Sequence, residues 1–447
     1  MDYARAVEYL LSLSDMERGY QGSANPTMSI ESVRSLMSRL NNPQMGRGTI
    51  HVTGSKGKGS TAAMIAGMLR RSGDSTALFT SPHLHAYTER IAFDGDPISP
   101  GEFAMGLEAI RPVVEAERES VHGDVSTFGV LTALFFWLVR AQARPVRWQV
   151  VEVGLGGTFD ATNVLTETDV AVITPISLEH TAILGKTTTA IATDKAGIIK
   201  AGCVCVVAPQ QDEAVYDVIQ RRCDEVGATM LDVRKEYEIV PLDRYIYGQS
   251  FQLGGPGSRT RELRTQMLGR HQLDNAATAV AVIDALRKRG HLISDRAIEE
   301  GLARTRVHGR MEVMGARPLV IADGAHNGES ARALAAGLRD HAEFRRGVAV
   351  IGVTSDKDVE GIVEALLPVT GAFIATRFRN TRAMDPSEIV DVVEAQGGEA
   401  IAVDRVTDAI DTARERAQED DLICITGSLY VVAEAREYVL GELVVRG

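Results

Sequence analysis

Cysteine is scarce, with four in 447 residues and no CxxC pair among Cys203, Cys205, Cys223 and Cys424. That spacing argues against a zinc site; Cys203 and Cys205, two apart in CVCVV, read as core thiols on one face of a strand. Long apolar runs are missing too. The longest, FGVLTALFFWLV from Phe128, is shorter than the roughly 20 residues a bilayer span requires and reads as a buried helix. The opening MDYARAVEYLLSLSDMERGY has no basic region, and its apolar run is short and interrupted, so no signal peptide is expected; the cytoplasm is the expected location and a membrane is not an expected partner. Basic charge is in deficit, 48 Lys and Arg against 60 Asp and Glu, and a net charge of -12 repels polyphosphate backbones. Nucleic acid is therefore not an expected partner. Internal repeats, heptads and low-complexity tracts are lacking as well.

What is present is the composition of a folded, multidomain protein: 45% hydrophobic residues, 24% charged, and a mean hydropathy of -0.04. Short β-branched runs (WQVVEVG at 148, DVAVITPI at 169, VCVVAP at 204, VAVIGV at 348, DLICITG at 421) alternate with longer segments of helical period. This alternation predicts an α/β fold of parallel sheets covered by helices, with ligands at the carboxyl ends of strands. The stretch RYIYGQSFQLGGPGSRTRELR from Arg244 is richer in Gly and Arg and is expected to be irregular β structure or an exposed excursion. Polar and Gly-bearing residues in RTRVHGRMEVMGAR, ahead of the strand PLVIAD, place a boundary that divides the chain into residues 1–303 and 304–447.

The stretch HVTGSKGKGST from His51 ends a strand, runs through Gly54, Ser55, Lys56, Gly57, Lys58, Gly59 and Ser60, and leads from Thr61 into helical spacing. Glycines let backbone N–H groups wrap an anion, a helix N-terminus adds positive potential, and Lys58 can reach terminal phosphates, with Ser60 or Thr61 facing a magnesium ion. The strict G-x-x-x-x-G-K-[ST] form is not met, because Val52 stands at the first glycine and Gly59 separates Lys58 from Ser60. A Gly-rich strand-to-helix turn with no ligand is the plain alternative. VEVGLGGTFDATN sets Glu152 at a strand end, where a buried carboxylate demands a metal ion or a basic partner. SLEHTAILG sets His180 after another strand end, where an imidazole can join the same site. Taken singly, these two are more often a salt-bridged carboxylate and a satisfied histidine; their placement after successive strands makes them candidates.

Taken in order, HVTGSKGKGST, FTSPHLHAYTERI, VEVGLGGTFDATN, SLEHTAILG, DKAGIIK, GRHQLDNAATA, DGAHN, SDKD and ITGSLY resemble the motif set of the folylpolyglutamate and dihydrofolate synthases of the Mur ligase superfamily, from about residue 3 to 440. The resemblance implies a P-loop central domain, with an N-terminal helical segment, followed by a smaller Rossmann-like C-terminal glutamate ligase domain. It implies a MgATP-dependent ligase that phosphorylates a carboxylate and lets the amino group of L-glutamate displace the phosphate. The carboxylate would be that of dihydropteroate or the γ-carboxylate of a folate.

Residue by residue, it implies that Gly54 to Thr61 cradle the triphosphate, with Lys58 compensating charge on the transferred group, and that Asn275, Arg310 and Asp323 contact ATP. Ser81, Glu152 and His180 match magnesium ligands, although a single imidazole also suits a second, more weakly held ion. Lys195 matches a lysine carried as a carbamate, against the plain reading of an ion pair with Asp194 or a neighbouring carboxylate. Thr80, Pro82, Leu155, Gly156 and Gly157 match substrate-binding positions. Asp323 and His326 of DGAHN match catalytic positions, and His326 is a candidate for taking the proton from the glutamate ammonium. A monomer is implied.

Several positions depart from the usual family forms: Lys56 for asparagine, Thr158 for arginine, Gly129 for glutamate and Glu179 for aspartate, while RGYQGSANPTMS lacks the familiar substrate loop. These departures gather where pterin and glutamate would be recognised, which leaves open a ligase for another carboxylate and a non-catalytic ATP-binding regulator. Only about 45 residues precede the Gly-rich loop, too few for the extra N-terminal domain of peptidoglycan-precursor ligases. Which folate is preferred, how many glutamates are added, and whether both synthase activities coexist are not readable from the sequence.

Overall fold

The computed structural model describes residues 1–13, 26–123, 125–256 and 260–441. Most of RGYQGSANPTMS lies outside the described residues. The first sheet has eight strands: β1 (Gly48–Thr53), β2 (Thr76–Phe79), β3 (Ile91–Phe93), β4 (Asp96–Pro97), β5 (Trp148–Glu152), β6 (Val170–Ile173), β7 (Val204–Val207) and β8 (Thr229–Asp232). Their order is β4-β3-β2-β5-β1-β6-β7-β8. All neighbours are parallel except β2 with β3 and β3 with β4. The chain leaves β1, passes over the β5 position to β2, returns to β5, and later crosses to β6. The carboxyl end of β1 is thus the switch point, where an open parallel sheet leaves a crevice for ligands.

β-Branched residues buried on both faces explain the parallel core: β5 and β6 are buried at every position. FGVLTALFFWLV forms the interior of the helix Thr127–Ala141, which is buried on nearly all sides, with Ser126 capping the Gly129 N–H. Among the described residues no helix is long and apolar enough to cross a membrane. All four cysteines are buried, free thiols; Cys203, Cys205 and Cys223 pack together with Ile191 and Ile219.

The stretch expected to be irregular β structure or an exposed excursion is β structure in its described part, with a register shift between Gln249 and Phe251 and with Tyr245 and Tyr247 exposed, but it also has a buried face. Three antiparallel strands, β9 (Glu238–Tyr245), β10 (Gly248–Gly254) and β11 (Arg261–Thr265), form a sheet whose Phe251, Leu253 and Leu263 join the core beneath the helices Lys58–Arg71 and Arg270–Lys288. Alternation in FQL and REL supplies the buried face, on which Arg261 also turns inward to pair with Asp284 at 2.8 Å, while Arg244 and Arg264 lie on the outer face.

The third sheet has the order β12-β13-β17-β14-β15-β16, from β12 (Glu312–Ala316), β13 (Leu319–Ala322), β14 (Gly347–Ile351), β15 (Ala372–Arg377), β16 (Glu399–Arg405) and β17 (Leu422–Thr426). It is parallel except for β12, which pairs antiparallel to β13 with a register shift between Val313 and Gly315. The series therefore opens one strand earlier than PLVIAD. A bulged edge strand with two glycine-flanked apolar residues has no clean alternation to read.

The helix Lys58–Arg71, which carries the Gly-rich loop at its start, is clamped from behind by the helix Asp295–Arg304. A Cβ added to Gly301 would lie 2.5 Å from Met68 Cα and 2.7 Å from Met68 N, and one added to Gly67 would lie 2.5 Å from Thr305 Oγ1. Only hydrogen side chains permit this approach. Gly301→Ala is expected to lower stability by about 1–3 kcal/mol, as overpacking against backbone does, read as a lower urea midpoint with an unchanged slope.

Candidate active site

The loop after β1 is built from the constraints on its glycines. Gly54 has φ 149°, and a Cβ there would meet Thr174 Oγ1 at 1.9 Å. The N–H groups of Ser55 and Lys56 both donate to the carbonyl of Pro175, at 2.9 and 3.2 Å, pinning the loop to the end of β6. Gly57 starts the helix Lys58–Arg71 in a left-handed conformation, φ 82°, and no side chain caps it. The first turn therefore presents its backbone donors, with the positive end of the helix dipole, to whatever lies ahead of it. The hydroxyl of Thr61 is buried without a hydrogen-bond partner, and Asn275 Oδ1 stands 2.4 Å from where a Gly57 Cβ would be.

β5 ends on Glu152, paired in register with Val52, so its carboxylate arrives beside the loop, 3.3 Å from a Cβ placed on Gly59. Glu152 is 3% exposed and accepts the Ser81 N–H at 3.0 Å. Burial pushes its carboxyl above the ordinary range, against the pull of Lys58, Arg310 and Arg90. No ion pair is made by this carboxylate among the described residues, so a cation is the missing partner in chemical terms. Among those residues no three His, Cys, Asp or Glu side chains form a metal cluster. The expected set of Ser81, Glu152 and His180 has one hard anionic ligand, one hydroxyl and one imidazole. With Glu152 buried and making no ion pair among the described residues, the donors fit a magnesium ion that keeps most of its ligands as water and phosphate oxygen.

Lys195 ends the helix Thr188–Lys195 and is 1% exposed. Its ammonium donates to Gly54 O at 2.8 Å and lies 3.2 Å from Glu179 Oε1, so its ion-pair partner is Glu179 and not Asp194. Burial and the charge of Lys58 lower it to about 8. Lys58 Nζ donates to the same Gly54 carbonyl at 3.1 Å. His180 is exposed, with φ 46°, at the start of the one-turn helix Thr181–Leu184.

Gly156 and Gly157 are buried: a Cβ on Gly156 would lie 2.3 Å from Asp194 Oδ2, and one on Gly157 2.8 Å from the Lys195 backbone. Their observed contact is with the helix that carries Lys195. Leu155 donates its N–H to Asp160 Oδ2 at 3.0 Å, so Asp160, which the sequence reading passed over, holds this turn. Thr80 N–H pairs with Arg90 O at 3.0 Å, and Pro82 is exposed at the loop tip.

The departures sort by contact. Thr158 donates its hydroxyl to Asp194 O at 2.8 Å and packs on Gly197, so it fastens the turn. Gly129 lies in the core, where a Cβ would come 2.9 Å from both Val33 Cγ2 and Val125 Cγ1. Neither is an open recognition position. Lys56, in contrast, sits between Glu179 of its own unit and Glu329 and Arg310 of the second, and burial lowers its ammonium.

From the second unit, Asp323 accepts the N–H groups of Met311 and Ala325, each at 2.8 Å, tying DGAHN to the HGR segment. Burial raises its carboxyl while Arg310 opposes. His326 Nδ1 is 2.9 Å from Gly324 O, and burial, with Lys56, Lys357 and Arg310 around it, lowers it to about 4. It is thus neutral at pH 7 and a weak base. Arg310 and Lys56 are the meeting point: each feels groups from both units. Lys357 of SDKD, to which the sequence reading gave no role, also faces both His326 and His180. A lone lysine in a charged run offers no periodic signal.

Two protein families match the chain: the Mur ligase middle domain over residues 127–283 and the Mur ligase glutamate ligase domain over residues 309–429. A dihydrofolate synthase/folylpolyglutamate synthase of Mycobacterium tuberculosis is 35% identical over 442 residues, covering 91% of this chain and 89% of that protein. A folylpolyglutamate synthase structure from the same organism, complexed with ADP and AMPPCP, superposes with a TM-score of 0.86 at 32% identity over 98% of this chain and 99% of the other. The Escherichia coli FolC structure in complex with DHPP and ADP gives a TM-score of 0.84 at 27% identity, covering 99% and 98%.

The position of Glu152 generates a pH prediction. A carboxyl raised on folding binds more protons in the native state, so the ionised form opposes folding progressively above its unfolded value near 4.5. Glu152→Gln without nucleotide or metal is therefore expected to be more stable than wild type at pH 8, with the difference shrinking towards pH 4, as thermal midpoints measured across that range would show.

Proposed function

The chain belongs to the dihydrofolate synthase/folylpolyglutamate synthase family of Mur ligases, and on that premise we propose that it uses ATP to join L-glutamate to dihydropteroate, to the γ-carboxylate of a reduced folate, or to both. The observation that carries this reading is the convergence, at one strand-end crevice, of the Gly54–Thr61 loop and Glu152 with Arg310, Asp323 and His326 of the second unit. Residues 1–303 act in it as the ATP-binding unit and 304–447 as the glutamate ligase unit. A cytoplasmic monomer taking only small molecules is the accompanying expectation.

The reaction brings two anions together, a carboxylate and the terminal phosphate of ATP, so the protein must supply positive charge that needs no reorganisation. The uncapped first turn of the helix Lys58–Arg71 holds the phosphate chain, and Lys58, freed from Gly54 O, follows the phosphoryl group as it moves. Magnesium held by Ser81, Glu152 and His180 would neutralise the phosphate oxygens. Arg310, between Glu152 and Asp323, stands where charge builds on the acyl phosphate. The glutamate amine must then arrive unprotonated. His326, at about 4, is too weak to remove that proton unaided, so its neutral Nε2 is better suited to accept a hydrogen bond from the incoming ammonium and orient it, the proton passing to solvent before the freed amine attacks.

Lys195 is proposed to react with carbon dioxide. Its unprotonated Nζ lone pair bonds to the carbon, one N–H proton leaves to solvent, and a carbamate remains, an anion that replaces the ammonium beside Gly54. An amine at about 8 is substantially neutral in mildly alkaline buffer, which an ordinary lysine is not. Enzyme incubated with ¹³C-bicarbonate at pH 8.5 should show a carbamate carbon signal by NMR, weaker at pH 6.5 and missing in Lys195→Met.

The decisive assay is phosphate release with MgATP and glutamate, supplying dihydropteroate or tetrahydrofolate in parallel, with mass analysis of products. Glutamate addition to at least one acceptor is expected, and Lys58→Ala should reduce kcat on the order of 100-fold or more, as loss of a transition-state charge partner does. No release with either acceptor, while ATP still binds, would return the chain to a different carboxylate or to a regulator.

A further inference from the structure

The linker that carries Arg310 is held on both flanks. On one, Met311 donates to Asp323. On the other, Gly309 N–H donates to Glu312 Oε2 at 2.8 Å, and the same oxygen receives Arg436 Nε, also at 2.8 Å. Arg436 is 3% exposed and comes from the helix Leu429–Leu440, far along the chain. Its other nitrogens reach outward: Nη1 lies 2.8 Å from His85 Nε2, and Nη2 lies 3.1 Å from His308 Nδ1.

His85 belongs to the same loop as Ser81. Glu89 closes that loop by accepting the N–H groups of Leu84, His85 and Ala86 at 2.8, 2.8 and 2.7 Å, which holds the backbone that carries the His85 ring. One guanidinium therefore contacts the Ser81 loop, the carboxylate that braces Gly309, and the histidine next to it. A planar five-donor group can hold the Glu312 carboxylate and the His85 nitrogen at once in fixed directions, while His308 Nδ1 turns to Glu312 Oε1 at 2.9 Å; the single point charge of a lysine cannot.

We infer that Arg436 is a positioning residue that sets the register between the Ser81 loop and Arg310, and so keeps the acyl phosphate shielded from water until glutamate attacks. The inference rests on the ligase reading above. With the register lost, water attacks phosphorus, the carboxylate leaves with the bonding pair, and a proton is released with phosphate, so that ATP and water give only ADP and phosphate.

The test compares wild type, Arg436→Lys and His85→Asn in saturating MgATP, glutamate and the accepted folate substrate, reading phosphate released per amide formed beside the thermal midpoint. Wild type should give a ratio near one. Both variants are expected to form amide on the order of 10-fold more slowly, with the ratio raised about threefold or more, because small misplacements at a reacting centre have effects of this size or larger. A ratio that stays at one in folded variants, whether both activities fall together or neither falls, would overturn the inference. Should Arg436→Lys not fold, His85→Asn decides alone, since it leaves the buried Arg436–Glu312 pair in place. Wild type without glutamate-dependent phosphate release would instead overturn the ligase reading, and this inference with it.

Discussion

A buried carboxylate that meets no countercharge in contact among the described residues is the constraint on which the rest of this structure depends. Glu152 stands at the end of a fully buried strand, beside a helix start that no side chain caps. Stability alone would remove both features, since an unpaired buried charge is costly and an uncapped helix forgoes about 1 kcal/mol. Together they are complementary to a phosphate chain and its cation. Lys58, Lys195 and the Ser81 N–H are then gathered around the same crevice, and Lys195 is buried so deeply that its own charge is weakened.

The second requirement is that two units meet in one geometry. Directional polar contacts join them, Gly269 N–H to His341 Nε2 at 3.2 Å, Arg244 to Asp340 at 3.1 Å and Arg436 to His85, beside apolar packing of Leu268 in the cluster of Met311 and Leu334. Such contacts set register by direction, where apolar burial would tolerate sliding. Arg310 is thereby held where its charge acts on Glu152 and on Asp323 at once.

Much of this was legible along the chain. The Gly-rich loop, Glu152 after a β-branched run, and DGAHN after PLVIAD are local patterns, in which glycine spacing and strand ends report the backbone directly. The buried face of the sheet from β9 to β11 was not legible, because glycine and arginine obscure the short alternations that bury Phe251 and Leu263. Nor was the bulged β12. At the site, Lys195 was singled out but its partner was not: Asp194 is adjacent in sequence, whereas Glu179 arrives from another loop. Gly129 and Thr158, taken from the motif pattern as recognition positions, turn out to pack against Val33 and to fasten the turn to Asp194 O.

The sequence by itself determined the α/β class, the Gly-rich strand-to-helix loop, the order of motifs and the acidic, cysteine-poor character of the chain, because each is a property of residues within a few positions of one another. The tertiary structure decided which charges meet. Arg436 reaches His85 across 351 positions, Lys195 reaches Gly54 across 141, and Arg310 stands among groups of both units. Hydrogen-bond direction and burial act between atoms adjacent in space, and sequence spacing carries no record of that adjacency once the chain has folded back on itself.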